Sequence, residues 1–132
     1  ALYFSSDSDT IRRIANDQID RYVGSGQSGY NGDNFRATLV HLNKPQDLTF
    51  GADGQLYFID RGNYRIRRTV NVDGELRVQD LVGNGRYREM VDALSDPLAA
   101  ELDPVAMNFD TAGNLVVYDV AHKRIRRLEV KK

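Results

Sequence analysis

Hydrophobic and polar positions alternate along most of the chain in short runs broken by turn residues, which predicts β-strands joined by tight connections. Asp47-Leu48-Thr49-Phe50 reads as a short strand, and Gly51-Ala52-Asp53-Gly54 supplies an Asp-Gly hairpin turn. Gln55 to Asp60 is a second strand, Arg61-Gly62-Asn63-Tyr64 turns the chain, and Arg65 to Val70 is a third. A second Asp-Gly hairpin at Asp73-Gly74 leads into a fourth strand, Leu76 to Val82. Gly83 to Asp103 reads as a loop with a short helix, capped by Ser95 or Asp96, with Pro97 in its first turn and Leu98 and Leu102 on one face.

This pattern repeats. Offset by 59 positions, residues 23–68 align without a gap on residues 82–127, and 14 of the 46 positions are identical. Composition alone predicts roughly three. The matches include Val23/Val82, Gly24/Gly83, Asp33/Asp92, Pro45/Pro104, Phe50/Phe109, Gly54/Gly113, Asp60/Asp119 and the block Arg65 to Arg68 with Arg124 to Arg127. A partial copy opens the chain, where Leu2-Tyr3-Phe4 answers Leu56-Tyr57-Phe58 and Ile11-Arg12-Arg13 answers Ile66-Arg67-Arg68. The prediction is therefore an all-β chain built from β-propeller blades of four antiparallel strands. It comprises a partial blade over 1–24, a complete blade over 46–83 and a partial blade over 105–132.

The string Gly32-Asp33-Asn34-Phe35-Arg36-Ala37-Thr38-Leu39-Val40-His41-Leu42-Asn43-Lys44-Pro45, followed by Phe50, Asp53-Gly54, Leu56-Tyr57, Asp60 and Asn63-Tyr64-Arg65-Ile66-Arg67, resembles the NHL repeat in its bacterial form. The resemblance covers nearly the whole chain and implies an NHL-type propeller with a six-bladed parent, of which this chain is a partial propeller. It leaves function open, because NHL propellers serve as protein-binding, RNA-binding, glycan-associated and occasionally enzymatic modules. The connection Asp92 to Pro97 departs from the Gly-Asp-rich pattern, and the opening copy lacks the strand-end Asp and carries Thr10 in place of Arg65.

Composition narrows the classes. The 132 residues are 41% hydrophobic and 28% charged, with a formal net charge of −1 and no cysteine. That is too apolar for a disordered tail, contains no run long enough to span a bilayer as a helix, and carries no generic electrostatic drive toward nucleic acid or anionic lipid. Disulfides and thiolate metal sites are excluded. The absence of cysteine, with the resemblance to bacterial repeats, points to an extracellular or periplasmic setting.

The arginine-rich strands suggest a phosphate-binding ladder, but the repeat gives them a structural role. Asp60 with Arg65, and Asp119 with Arg124, are placed to pair across neighbouring strands. His41 and His122 are too few and too poorly spaced for a zinc site, and His122, at the turn position of Asn63, reads as a surface turn residue. The glycine clusters at Gly24 to Gly29 and Gly83 to Gly85 lack the strand-turn-helix context of a phosphate loop. No catalytic residues, metal site or cofactor are expected.

Loop lengths place function on the face that carries the long inter-blade connections and the turns between second and third strands. The candidate partner-binding residues there are Tyr30, Asp33, Arg36 and His41 from the first connection and Arg61, Asn63 and Tyr64 from the middle turn. Arg86, Tyr87 and Arg88 from the second connection and Lys123 from the last turn complete the set. The leading expectation is a non-catalytic recognition scaffold binding a protein or glycan. The alternatives are a share in a metal-dependent propeller enzyme of lyase or lactonase type, completed by other blades, and RNA binding by the loop face, which the net charge opposes. A ring needs about four blades to close, so the chain is expected to be either a piece of a longer propeller or a subunit that completes its ring with other chains.

Overall fold

The computed structural model describes residues 1–88 and 96–130. Among these, eleven strands form three antiparallel sheets of three, five and three strands. The first sheet contains β1 (Leu2–Ser6), β2 (Thr10–Ala15) and β3 (Gln18–Val23) in that order. The middle sheet runs β4-β8-β7-β6-β5, from β4 (Phe35–Arg36), β5 (Pro45–Phe50), β6 (Leu56–Asp60), β7 (Arg65–Val72) and β8 (Glu75–Val82). The last contains β9 (Pro104–Phe109), β10 (Leu115–Asp119) and β11 (Arg124–Leu128). The chain is all-β and propeller-like, as the periodicity predicted.

The repeat is visible in the registers. Tyr57 faces Arg68 across β6 and β7 as Tyr3 faces Arg13 across β1 and β2. The same irregularity recurs where the third strand meets the fourth, between Ile66 and Arg67 in the middle sheet and between Ile11 and Arg12 in the first. In each case one extra residue on the outer strand bends the sheet.

β6 reads Leu-Tyr-Phe-Ile rather than alternating because both of its faces are covered. Leu56 and Phe58 pack with Val78 against Ile11 and Val23 of the first sheet, joined by Ala37, Val40 and Leu42 of the first connection. Tyr57 and Ile59 pack with Ile66 and Val82 against Met107, Leu115 and Val117 of the last sheet, joined by Ala100 and Leu102. An aromatic rung recurs at both junctions: Tyr3 meets Phe50 and Tyr57 meets Phe109, each edge-on with ring centroids 4.9 Å apart. The innermost strands are tied as well, since Asp47 accepts the Met107 N–H at 2.6 Å and Gln46 donates to the Val105 carbonyl at 3.2 Å.

Gly24 and Gly83 show why the blade must leave its fourth strand through glycine. At both, φ is +103°, and an added Cβ would stand 2.8 Å from the Asp9 carbonyl oxygen or 2.4 Å from that of Tyr64. No side chain fits either place.

Four expectations are corrected. The middle sheet has a fifth strand, because the first connection runs along its outer edge as β4, pairing Phe35 with Val78 and Arg36 with Arg77. The ungapped repeat slips by one residue within the connections: Gly24 donates to the Ala37 carbonyl and Ser25 to that of Val40, whereas Gly83 donates to Pro97 and Asn84 to Ala100. Leu39 and Leu98, which are identical at the 59-residue offset, are therefore not structurally equivalent. The expected short helix is a single 3-10 turn, Pro97–Ala99, capped by the Asp96 side chain accepting from the Leu98 N–H at 3.1 Å. Leu98 lies exposed while Leu102 is buried, so they share no face. Asp92 and Ser95 lie outside the described residues.

Candidate functional site

The site grows from the turn between β6 and β7. Arg61–Asn63 make one 3-10 turn that ends on Tyr64 in the left-handed conformation, at φ 52°. This geometry turns the Asn63 amide inward, where it donates to Asp60 Oδ2 at 2.8 Å and to the Gly29 carbonyl at 2.9 Å. Tyr64 is directed toward the second connection, where its ring stacks on Tyr87 with centroids 4.4 Å apart and planes 28° apart.

Beneath the turn lies a buried charge network. Arg67, wholly buried, reaches Asp60 Oδ2 at 3.2 Å through Nη1, and its Nε lies 2.8 Å from Asp80 Oδ1 as an ion pair rather than a directed hydrogen bond. The guanidinium also donates to the Gly32 and His41 carbonyls, at 2.8 and 3.2 Å, which fastens the first connection to the blade. Arg65 lies 3.4 Å from Asp80 Oδ2 and stacks under the Tyr30 ring, 3.7 Å from its centroid. The Tyr30 hydroxyl donates to Asp80 at 2.5 Å, and Asp33 accepts the Asp80 N–H at 2.8 Å. Burial, then the Asp80 hydrogen bond, push the Tyr30 hydroxyl up to about 12. Burial also raises the Asp60 carboxyl above its ordinary range, against the opposing pull of the Asn43 N–H, Asn63 and Arg67.

The expected ion pairs are thus reassigned. Asp60 stands opposite Arg65 in register, but its carboxylate takes Arg67, the diagonal neighbour on the same strand, while Arg65 is drawn to Asp80 and Tyr30. In the last sheet Asp119 likewise faces Arg124 but binds Arg126, 3.4 Å away. Diagonal neighbours lie within reach of a long side chain, and a buried acid favours the arginine that is itself shielded from water. His122 is corrected too. Its side chain is only 9% exposed and its Nδ1 lies 2.6 Å from Asp119 Oδ2, in the place Asn63 takes against Asp60.

The candidate residues fall into two groups. Tyr30, Asp33 and Asn63 are committed to the network, and His41 serves it through its backbone, its N–H donating to Asn31 Oδ1 at 2.8 Å. The other group lies outside the network, although exposure does not separate the two, since Tyr30 and Tyr87 are each 36% exposed. Arg61 pairs with Asp103 at 3.5 Å, and the Leu102 N–H donates to the Arg86 carbonyl at 3.1 Å. These two contacts bring the 61–64 turn and residues 86–88 together, so Arg61, Tyr64, Arg86, Tyr87 and Arg88 form one aromatic and basic patch. Lys123 occupies the corresponding turn of the last sheet, at φ 53°. Arg36 belongs to neither group: on β4 it pairs with Glu75 at 3.0 Å. There it lines an open cleft of about 430 Å³ with Tyr22, Thr38 and Leu76. Sequence reading missed Asp80, the centre of the network. The first sheet has Arg21 at that register position, so the repeat carried no signal for it.

Among the described residues, no cluster of three or more His, Asp or Glu could hold a metal ion, and no helix is long and apolar enough to cross a membrane.

The sequence matches no protein-family model and no curated relative. Solved structures define the architecture. A Bacteroides thetaiotaomicron protein of unknown function superposes with a TM-score of 0.69 at 22% identity. A second protein of that organism, provisionally described as a phosphatase, superposes with a TM-score of 0.65 at 20% identity. Each likeness covers 98% of this chain but only 32% of the other, so the chain spans about a third of their length. At such identities the likeness establishes the fold alone, that of a partial propeller-like β-protein.

Proposed function

We propose that the chain is a segment of an NHL-type propeller that acts as a non-catalytic recognition scaffold, binding a protein or glycan through its long-connection face. The observation that carries this reading is the Tyr64–Tyr87 stack, flanked by Arg61, Arg86 and Arg88 and borne by a blade with a buried, ion-paired charge network. Tyr and Arg on a rigid support are the residue types that dominate binding hot spots, because little conformational entropy is lost when they are covered. The buried charges beneath them serve stiffness. Arg67, Asp60 and Asp80 have their partners within the fold and are closed to solvent, so they hold the platform rather than meet a ligand.

The test is binding of the chain to a defined oligosaccharide panel and a displayed peptide library, each compared with the Tyr64→Ala/Tyr87→Ala double variant. Ligands retained by the parent are expected to be lost by the variant while its circular dichroism spectrum is unchanged. Retention of the same ligands by a folded double variant overturns the assignment of the face.

A further inference from the structure

The open cleft of about 430 Å³ takes its lining from the first sheet, the first connection and the middle sheet. It is separate from the Tyr64–Tyr87 stack: the Asp73–Gly74 hairpin that borders it leaves one end of β7, and the 61–64 turn enters the other. Comparison of the two blade junctions shows what is particular to this cleft. Tyr22 is the extra residue of the irregularity in β3, between the pairs Ile11–Val23 and Arg12–Arg21, and the same place in β8, between the pairs Ile66–Val82 and Arg67–Asp80, holds Leu81. Both side chains pack partly buried on the core cluster of their junction, so leucine meets the demand of the fold and the Tyr22 hydroxyl is additional. Thr38 follows Ala37 in the first connection as Leu98 follows Pro97 in the second, because Gly24 and Gly83 donate to Ala37 and Pro97 in turn. One junction thus carries leucine at two positions where the other carries hydroxyl-bearing residues, and Tyr22 and Thr38 both line the cleft.

We propose that this cleft is a binding site for a neutral mono- or disaccharide, in which the Arg36–Glu75 pair engages neighbouring sugar hydroxyls and Tyr22 and Thr38 complete the hydrogen bonding. The site does not rest on the partner-binding reading of the long-connection face. Its charges are largely balanced already: Arg36 lies 3.0 Å from Glu75 Oε2, and Arg77 lies 2.8 Å from Glu75 Oε1. A guanidinium beside a carboxylate presents donors next to acceptors, and a sugar hydroxyl is both at once. An anionic ligand would meet the Asp73 and Glu75 carboxylates, and a polyamine would have to compete with two arginines for Glu75; a ligand of uncharged hydroxyls does neither. Among the described residues, the Tyr22 and Thr38 hydroxyls have no hydrogen-bond partner within the chain, which leaves them to a ligand. The Tyr22 ring is held edge-on against Tyr3, centroids 4.9 Å apart, with the Arg13 guanidinium 5.6 Å from its centroid, so the hydroxyl is positioned before a ligand arrives. The volume lies toward the lower end of the roughly 300–1,000 Å³ of small-molecule clefts, the size for one or two sugar rings rather than a long chain.

Titration of the isotope-labelled chain with maltose, cellobiose and lactose, followed by amide chemical shifts, tests the proposal, with glucuronic acid and spermine as charged comparators. At least one disaccharide is expected to shift the amides of residues 36–38 and 73–76. The Tyr22→Leu/Thr38→Leu double variant installs the side chains of the other junction, so it folds, and it is expected to weaken that binding about tenfold or more through the loss of two hydroxyls. Arg36→Ser, at a side chain 56% exposed, is expected to weaken it as well without disturbing the fold. Tyr64→Ala/Tyr87→Ala is expected to bind the disaccharide unchanged, which separates this site from the long-connection face. Several results overturn the proposal: no shift with any of the three disaccharides, tighter binding of glucuronic acid or spermine at the cleft, or full affinity in the folded leucine variant. Shifts confined to residues 61–64 and 86–88 and lost in Tyr64→Ala/Tyr87→Ala overturn it too, while supporting the long-connection face.

Discussion

Asp60 and Arg67 meet 3.2 Å apart with both side chains fully shielded from solvent, and Asp80 completes the balance 2.8 Å from Arg67 Nε. Removing the cation alone leaves two buried carboxylates without their shared partner. Arg67→Met is therefore expected to destabilise the chain by about 3–5 kcal/mol. Chemical denaturation checks this, and a loss under about 1 kcal/mol would show that the network relaxes or takes up water.

The Tyr30 hydroxyl gives a pH signature. A tyrosine in the unfolded chain ionises near 10, whereas Tyr30 in the fold is pushed up to about 12. Between these values the folded chain holds a proton that the unfolded chain has lost, so the contribution of Tyr30 to stability is complete below pH 10 and disappears as the pH rises toward 12. Ultraviolet titration of tyrosinate is expected to lose its latest-ionising group in Tyr30→Phe. The same variant should show a shallower fall in stability above pH 10; an unchanged slope would place the alkaline loss elsewhere.

Glycine at the blade exit is a steric demand as well as a conformational one. Gly83 and Gly74 both have positive φ, +103° and +82°, but only Gly83 would place a Cβ against backbone, 2.4 Å from the Tyr64 carbonyl oxygen. Gly74→Ala should cost about 1–2 kcal/mol, the left-handed penalty alone. Gly83→Ala should cost more, because the Tyr64 turn must shift. Melting temperatures of the two variants decide the order, and equal losses would show that the turn yields freely.

The blade pattern was legible because its determinants are local: alternation, Asp-Gly hairpins and the spacing of the repeat. What escaped depends on approach in space. β4 is two residues long and exists only because the first connection lies along β8, which no periodicity in Phe35-Arg36 announces. The acid partners were assigned to Arg65 and Arg124 by direct register, yet side-chain reach and burial select Arg67 and Arg126 on the diagonal. Of the proposed surface set, Tyr30, Asp33 and Asn63 carry the polar character of binding residues, but each already spends it on a partner within the chain, and Asn63 is buried as well.

His122 makes the same point through substitution within the repeat. Asn63 and His122 occupy matching turns, and each aligns a donor on a buried carboxylate, Asp60 or Asp119. Since the carboxylate rather than the imidazole defines the requirement, His122→Asn is expected to keep most of the stability: an amide at this turn already satisfies the same geometry in the middle sheet. His122→Ala removes the donor to Asp119 Oδ2 and leaves Asp119 the Asp103 N–H at 3.0 Å and Arg126 at 3.4 Å, a change expected to cost about 1–3 kcal/mol. Thermal denaturation at neutral pH distinguishes the two variants. If asparagine proves as damaging as alanine, the imidazole contributes through its packing, and the parallel between the two turns does not extend to their energetics.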